Sequence, residues 1–286
     1  MGRRRDTRDR VMAPFGSRLR AGRGARGPLC VGLDPHPQLL AAWGLHDDVA
    51  GVEVFARTVT DALADRVCLI KPQLAFFERH GSRGMAVLEQ VVVDARSAGA
   101  LVLLDAKRGD IGSTMQAYAE AFLDPRSAFA ADAMTVSPYL GVGALRPAFD
   151  LAAKHQAGVF VLARTSNPEG ASLQAALLAD GRSVAQTVLD AVAVENAEHA
   201  PWGSIGVVVG ATLDQPVTGL DVGGPVLAPG IGAQGAQVGD LPRVFGEARS
   251  SVYPVSARGV LGAGPNVGDL RAAAQALNHE CADVLG

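Results

Sequence analysis

The chain has 286 residues, of which 48% are hydrophobic and 19% are charged, so it carries enough apolar material for a sizeable globular core. No apolar run approaches the roughly 18 residues that a membrane-spanning helix requires, and no secretory pattern opens the chain. The three cysteines have no paired spacing, so the sequence predicts neither a disulfide framework nor a zinc site. We therefore expect a protein of the reducing cytoplasm that has no membrane partner.

Charge is unevenly distributed along the chain. Residues 1–27 carry nine arginines and two aspartates, a net charge of +7, whereas the remaining residues carry a net charge of −10. Because an acidic body repels a phosphate backbone, we do not expect a nucleic-acid partner. The basic segment is compatible with an RNA-binding or targeting arm, but a disordered leader is the simpler interpretation. We assign residues 1–12 to such an arginine-rich leader and residues 13–286 to one folded domain.

Eight short apolar runs with strand-like composition recur along the chain. Continuous apolar runs of this length are typical of strands buried on both faces, as in a parallel sheet. The predicted strands cover residues 29–34, 67–71, 100–107, 133–139, 158–165, 205–212, 225–230 and 252–258.

The segments between these runs have helical periodicity. Val52, Phe55, Val59 and Leu63 form one apolar stripe, and similar patterns predict helices near residues 85–95, 113–122, 184–194 and 270–284. Eight alternations of strand and helix favour an α/β fold, a single-domain (βα)8 TIM barrel, over the alternative of a doubly wound sheet.

Polar side chains follow most of the predicted strands. In a (βα)8 barrel the carboxyl ends of the strands form the active-site face, so these side chains should meet in one pocket. The densest group is DAKRGD at residues 105–110, where Asp105 and Lys107 are two residues apart and point to the same side of a strand. An ordinary ion pair at a strand end would explain this group alone. Lys71, one of only three lysines, ends another predicted strand and favours a site.

Two glycine-rich segments follow the seventh and eighth predicted strands. In this fold those loops commonly bind a phosphate through backbone N–H groups, although a tight turn would also explain the glycines. Arg258 would add a charge-assisted contact to the phosphate. Asp34 either caps a turn or binds a substrate hydroxyl. The chain lacks the fingerprints of triphosphate and dinucleotide sites, and its six histidines have no metal-ligand spacing.

In their order along the chain, these motifs resemble those of the orotidine 5′-phosphate decarboxylase family. The motifs are GLDP at 32–35, IKPQ at 70–73, DAKRGDIGST at 105–114, TVSPYLG at 135–141, ARTSNP at 163–168 and GIGAQG at 230–235. The similarity covers about residues 13–284 and is greatest to the longer bacterial subgroup found in mycobacteria and their relatives. The DxKxxD pattern alone is shared with related sugar-phosphate decarboxylases and aldolases, whereas the ordered set is far more specific.

The resemblance implies a homodimeric (βα)8 barrel that converts orotidine 5′-phosphate to UMP and CO2, the last step of de novo pyrimidine synthesis, with no metal or organic cofactor. It implies a charge network of Lys71, Asp105, Lys107 and Asp110, in which Lys107 protonates C6 and Asp110 comes from the partner subunit. By the same resemblance, the further substrate-binding residues are Asp34, Ile111, Thr114, Ser137, Pro229, Gly230, Gly232, Gln234, Ala257 and Arg258. Ile111 and Thr114 would reach across the interface with Asp110.

Three alternatives stay open at this point. A magnesium-dependent 3-keto-gulonate-6-phosphate decarboxylase or hexulose-phosphate synthase would, by its own family resemblance, need a carboxylate at the end of the second strand, where this chain has Lys71. A Schiff-base aldolase would need a neutral lysine, which the flanking aspartates disfavour. A non-catalytic phosphate-ligand sensor would gain nothing from keeping the alternating charges.

Overall fold

The structure is a computed structural model that describes residues 12–199, 202–232 and 235–286. Eight parallel strands close into a barrel in chain order, and the pairing of the first strand with the eighth excludes a doubly wound sheet. All eight predicted strands are confirmed, with ends that differ by three residues or fewer. The strands are β1 (Cys30–Leu33), β2 (Leu69–Pro72), β3 (Leu101–Arg108), β4 (Ala133–Val136), β5 (Gly158–Arg164), β6 (Ile205–Val209), β7 (Val226–Pro229) and β8 (Val252–Ser256).

Helices surround the barrel, and their apolar faces pack on the outside of the strands. The five predicted helices are confirmed, and the Val52, Phe55, Val59 and Leu63 stripe is fully buried. The helices are α1 (Phe15–Arg26), α2 (Pro37–Ala42), α3 (Val49–Leu63), α4 (Ala75–Glu78), α5 (Gly81–Ser97), α6 (Gly112–Leu123), α7 (Arg146–His155), α8 (Ala171–Gln174), α9 (Val184–Asn196), α10 (Leu241–Phe245), α11 (Arg258–Leu261) and α12 (Val267–Leu285). Short 3₁₀ turns cover Val142–Leu145, Pro168–Gly170, Ala197–His199, Val238–Asp240 and Gly246–Ser251. Within the described ranges, no helix is long and apolar enough to cross a membrane.

Helix α1 closes the amino-terminal end of the barrel. Phe15 and Leu19 are fully buried in a cluster with side chains from inside the barrel, where the ring of Phe15 lies edge-on to that of Phe160. Arg18 donates to the buried carboxylate of Asp132 at 2.5 Å. The arginine-rich stretch from Phe15 to Arg26 is therefore a helix packed on the barrel and not part of a disordered leader.

The proposed leader itself is described only at its last residue, Met12, since residues 1–11 lie outside the described ranges. The boundary between leader and barrel thus stays a prediction.

Candidate active site

A cavity of about 300 Å³ opens at the carboxyl ends of the strands, as the fold predicts. Eight of the predicted site residues line it, from β1, β2, β3, β7, β8 and the loops that follow them. These are Asp34, Lys71, Asp105, Lys107, Pro229, Gly230, Ala257 and Arg258.

The carboxylate of Asp105 is the hub of the site. One oxygen accepts from Lys71 Nζ at 2.7 Å, and the other accepts from Lys107 Nζ at 2.6 Å and from the hydroxyl of Thr135 at 2.8 Å. Burial alone would raise the pKa of Asp105, but the ammonium groups of Lys71 and Lys107 outweigh it and hold this pKa well below its usual range. Asp105 is therefore a carboxylate anion at neutral pH.

Lys71 is a buried cation, with only 5% of the residue exposed. Burial by itself would lower the pKa of Lys71, but the nearby carboxylates of Asp105 and Asp34 more than offset this and raise it. Lys71 lies on β2, and Asp105 and Lys107 lie on β3. Lys71 can reach Asp105 because these two strands are adjacent in the barrel. The sequence prediction that these three charges meet is confirmed.

The backbone of Lys107 departs from a regular strand. Its φ is +47°, a left-handed conformation that is uncommon for residues other than glycine. The register of β3 against β4 shifts between Leu104 and Arg108. Although Lys107 and Asp105 do meet as the spacing predicts, a bulge rather than simple alternation brings them together.

Gly109 follows directly and must be a glycine for steric reasons. A Cβ at this position would collide with the carbonyl oxygen of Ser137. That carbonyl belongs to the segment after β4, whose Ser137 N–H donates to the carbonyl of Arg108 at 2.8 Å. The glycine of the DAKRGD motif thus lets the end of β3 lie against the end of β4.

Two residues of the site were not singled out from the sequence. Thr135 is a polar residue in the buried strand β4, and Gln73 follows Lys71 by two residues. The side-chain oxygen of Gln73 is 3.5 Å from Lys71 Nζ and 3.4 Å from Lys107 Nζ. Both lie in segments that carry the family resemblance, and a polar side chain inside an apolar strand was the signal available for Thr135.

The glycine-rich segment after β7 reaches the cavity from across the barrel, since β7 is four strands away from β3 in the closed barrel. Gly230 has a φ of +117° and Gly232 a φ of +80°, conformations that favour glycine. Gly230 lines the cavity with Pro229, whereas Gly232 does not. Gln234 lies outside the described residues. Arg258 follows β8, is exposed beside the cavity, and forms no ion pair with any residue in the described ranges.

Asp34 carries an unsatisfied oxygen. Its Oδ1 is buried and accepts no hydrogen bond from the residues that the structure describes. Buried polar atoms are nearly always hydrogen-bonded, so an orphaned acceptor in a cavity fits a ligand that donates there. Between the two possibilities left open by the sequence, this geometry favours binding a hydroxyl over capping a turn.

Besides Gly232, four predicted residues do not line the cavity. Asp110 and Ile111 come directly before α6 and Thr114 lies in its first turn, and Ile111 is 62% exposed. Asp110 Oδ1 accepts from the N–H of Ile111 at 2.8 Å, and within the described part of the chain it forms no ion pair with Lys71 or Lys107. Ser137 is half-buried and does not line the cavity. A single chain therefore assembles three members of the predicted four-residue charge network.

The described residues hold no group of three or more histidine, cysteine, aspartate or glutamate side chains arranged for a metal ion. The cavity is lined by two ammonium groups that share one carboxylate, and also by Arg258 and the glycine-rich segment after β7. Such an arrangement can bind a phosphorylated anion and can stabilise or protonate a developing negative charge.

Comparisons with known proteins agree with this site. Residues 27–273 match the model of the orotidine 5′-phosphate decarboxylase / HUMPS family. The chain is 62% identical to an orotidine 5′-phosphate decarboxylase of Streptomyces coelicolor over 92% of its own length and 95% of that protein. It is 59% identical to that of Salinispora tropica, covering 96% and 99% of the two chains.

Solved structures give the same result. A Streptomyces avermitilis chain proposed to be an orotidine 5′-phosphate decarboxylase superposes with a TM-score of 0.94 at 58% identity, with 98% of this chain and 99% of that one covered. The OMP decarboxylase of Leishmania donovani gives a TM-score of 0.76 at 30% identity, over 95% and 99% of the two chains. The family match over residues 27–273 spans all eight strands and every residue that lines the cavity, and the chain therefore belongs to the orotidine 5′-phosphate decarboxylase / HUMPS family.

Proposed function

We propose that this protein decarboxylates orotidine 5′-phosphate to UMP and CO2, the last step of de novo pyrimidine synthesis, without a metal or organic cofactor. The observation that carries the proposal is the ammonium of Lys107 held 2.6 Å from the buried Asp105 carboxylate, in a cavity that Arg258 and Gly230 also line. Identity of about 60% to proteins named for this activity supports it.

In this proposal Lys107 is the proton donor. Breaking the bond between C6 and the carboxylate leaves an electron pair on a ring carbon that the ring cannot easily delocalise. An ammonium already fixed where that charge develops stabilises the transition state without reorganisation. Lys107 then gives a proton to C6, which completes UMP, and is reprotonated from solvent. The side chain of Lys107 is 43% exposed in the open cavity, which gives solvent a route to it.

Asp105 and Lys71 set the electrostatics around that proton. Asp105 is anionic and would lie beside the substrate carboxylate, so it disfavours the charged ground state more than the transition state, in which charge leaves as CO2. Lys71 keeps Asp105 ionised, since it supplies a buried positive charge at 2.7 Å. The pair thus maintains the charge pattern that Lys107 requires.

The other end of the cavity binds the parts of the substrate that do not react. We assign the phosphate to Arg258, Gln234 and the backbone around Pro229, Gly230, Gly232 and Ala257, and the ribose hydroxyls to the orphaned oxygen of Asp34. Ser137 is assigned to the pyrimidine ring, which requires its segment to approach the cavity when substrate binds. Contacts remote from C6 supply binding energy for closure and for exclusion of water.

We further propose a homodimer in which Asp110, Ile111 and Thr114 enter the partner's site. Ile111 and Thr114 are exposed and Asp110 is half-buried, and within the described chain Asp110 forms no ion pair with either lysine; both observations support this arrangement. A second carboxylate from the partner would complete an alternating series of charges.

The three cysteines are free and buried, which is consistent with a reducing cytoplasm.

The family also includes sugar-phosphate enzymes, and Lys71 distinguishes this chain from the magnesium-dependent ones. Lys71 ends β2, where the magnesium-dependent enzymes are expected to carry a carboxylate. A Schiff-base mechanism is equally disfavoured, because Asp105 keeps Lys71 charged and a nucleophilic amine must be neutral.

The test is loss of orotidine 5′-phosphate absorbance by purified protein in excess EDTA, with Lys107→Ala run beside it. We expect turnover by the wild type alone and similar UMP affinity in both proteins. No turnover by a folded wild type would remove the proposal. Equal loss of turnover and UMP binding in the variant would make Lys107 a structural residue instead. UMP binding without turnover by the wild type would indicate a ligand sensor.

A further inference from the structure

The bulge in β3 places more residues on β3 than on the facing part of β4. Leu104 pairs with Met134, and the next pair along the two strands is Arg108 with Val136. Three residues of β3, 105–107, therefore lie opposite the single residue Thr135 of β4. A bulge of this kind leaves backbone groups without their ladder partners.

The side chain of Thr135 replaces the missing ladder partner. The N–H of Lys107 donates to Thr135 Oγ1 at 3.0 Å, and the same hydroxyl donates its own proton to Asp105 Oδ1 at 2.8 Å. Thr135 is 1% exposed, so no solvent competes for either bond. Because a hydroxyl has one proton, donation to Asp105 fixes which of its lone pairs faces the Lys107 amide.

These contacts form a closed ring. Asp105 Oδ1 accepts both from Thr135 and from Lys107 Nζ, and Thr135 in turn accepts from the backbone of Lys107. The ring passes through the residue whose φ is +47°, a conformation that persists only where its surroundings impose it. The same hydroxyl therefore holds the backbone of Lys107 and the carboxylate that orients its ammonium.

We infer that Thr135 is a positioning residue for the reaction, which fixes the ammonium of Lys107 by holding its left-handed backbone and its Asp105 partner with one hydroxyl. The inference rests on the proposed function. Thr135 acts through Lys107 and Asp105, and its hydroxyl bonds to neither Asp34 nor Arg258, so its loss should slow the chemical step and leave binding of the phosphate and ribose largely unchanged.

Thr135→Val tests this with little change in volume, and Thr135→Ser restores the hydroxyl. A hydrogen bond to a charged group is commonly worth a factor of about 10 to 100, so we expect kcat of Thr135→Val to fall by that factor while its Kd for UMP stays within about threefold of wild type. Thr135→Ser should recover kcat to within about threefold. Amide exchange at Lys107 should accelerate in Thr135→Val, because its N–H loses its acceptor.

Thr60→Val is the matched control. Thr60 is a buried threonine, 3% exposed, whose hydroxyl bonds a carbonyl within α3, far from the cavity. It should keep the wild-type kcat. Thr135→Ala, which cannot introduce a clash, provides a second variant if Thr135→Val does not fold.

Several results would overturn the inference. They are a kcat of Thr135→Val within threefold of wild type, a Thr135→Ser as slow as Thr135→Val, equal losses in kcat and UMP binding, or failure of both apolar variants to fold, which would make Thr135 a folding residue. Failure of the proposed function is distinguished at the outset, because the wild type itself would then show no decarboxylation.

Discussion

Asp105→Asn should destabilise the fold as well as the site, because it removes a buried charge without changing shape. Lys71, 5% exposed, would lose its partner at 2.7 Å. Leaving one member of a buried ion pair unpaired costs about 3–5 kcal/mol. The pair with Lys107 adds at most about 1 kcal/mol, since that side chain is 43% exposed. Asp34 also favours charged Lys71, so we expect the lower end, a loss of about 3 kcal/mol in the free energy of unfolding.

Urea denaturation at pH 7, followed by circular dichroism, measures this loss. Asp47→Asn is the control, because it breaks an ion pair with Arg79 in which both side chains are more than one-third exposed, and it should cost less than about 1 kcal/mol. The reasoning is refuted if Asp105→Asn is as stable as wild type or loses no more stability than the control.

The pH dependence of the same difference checks the ionisation of Asp105. The folded-state pKa of Asp105 is held below its unfolded value of about 3.9, so its contribution to stability is present above that value and is lost as the pH falls further. The gap between wild type and Asp105→Asn should therefore stay constant from about pH 7 to pH 5 and narrow only below about pH 4. A gap that closes between pH 7 and pH 5 would contradict a depressed pKa.

Three other substitutions probe the fold around the site. Gly109→Ala should lower kcat by about 100-fold, because its Cβ would collide with the Ser137 carbonyl and displace the end of β3. An unchanged kcat would show that the segment after β4 moves aside and leaves Lys107 in place. Leu19→Ala should cost about 2–5 kcal/mol of unfolding free energy at unchanged kcat, measured by urea denaturation and turnover, and a stable variant would mean that α1 does not close the barrel. Asp132→Asn removes the buried carboxylate that pairs with Arg18 and Arg96, while Arg18 keeps two backbone carbonyl acceptors, so it should cost at most about 3 kcal/mol, again with wild-type turnover; lost activity in the folded variant would argue against a purely structural role.

The amino-acid sequence determined the order and type of the elements and the chemical character of the site. Buried parallel strands require continuous apolar runs, and amphipathic helices require a stripe of period 3.6, so both patterns are written locally in the chain. The carboxyl ends of parallel strands meet at one face, which is why the sequence alone predicts that Lys71, Asp105 and Lys107 lie together. The turn around Gly230 could also be predicted from its glycines, because few other residues tolerate a positive φ.

Only the tertiary structure decided how those residues are held. The sequence predicts no helix for residues 15–26, yet Phe15 and Leu19 of α1 are buried against side chains from inside the barrel, a contact between segments that are far apart along the chain. The left-handed backbone of Lys107 depends on the register between β3 and β4, a contact between segments separated along the chain. Thr135 closes that contact with one hydroxyl, and Asp110 stays outside the cavity of its own chain. Strand composition specifies which face a side chain occupies, whereas bulges and hydrogen-bond partners depend on the neighbouring strand, and they therefore emerge only when the barrel closes.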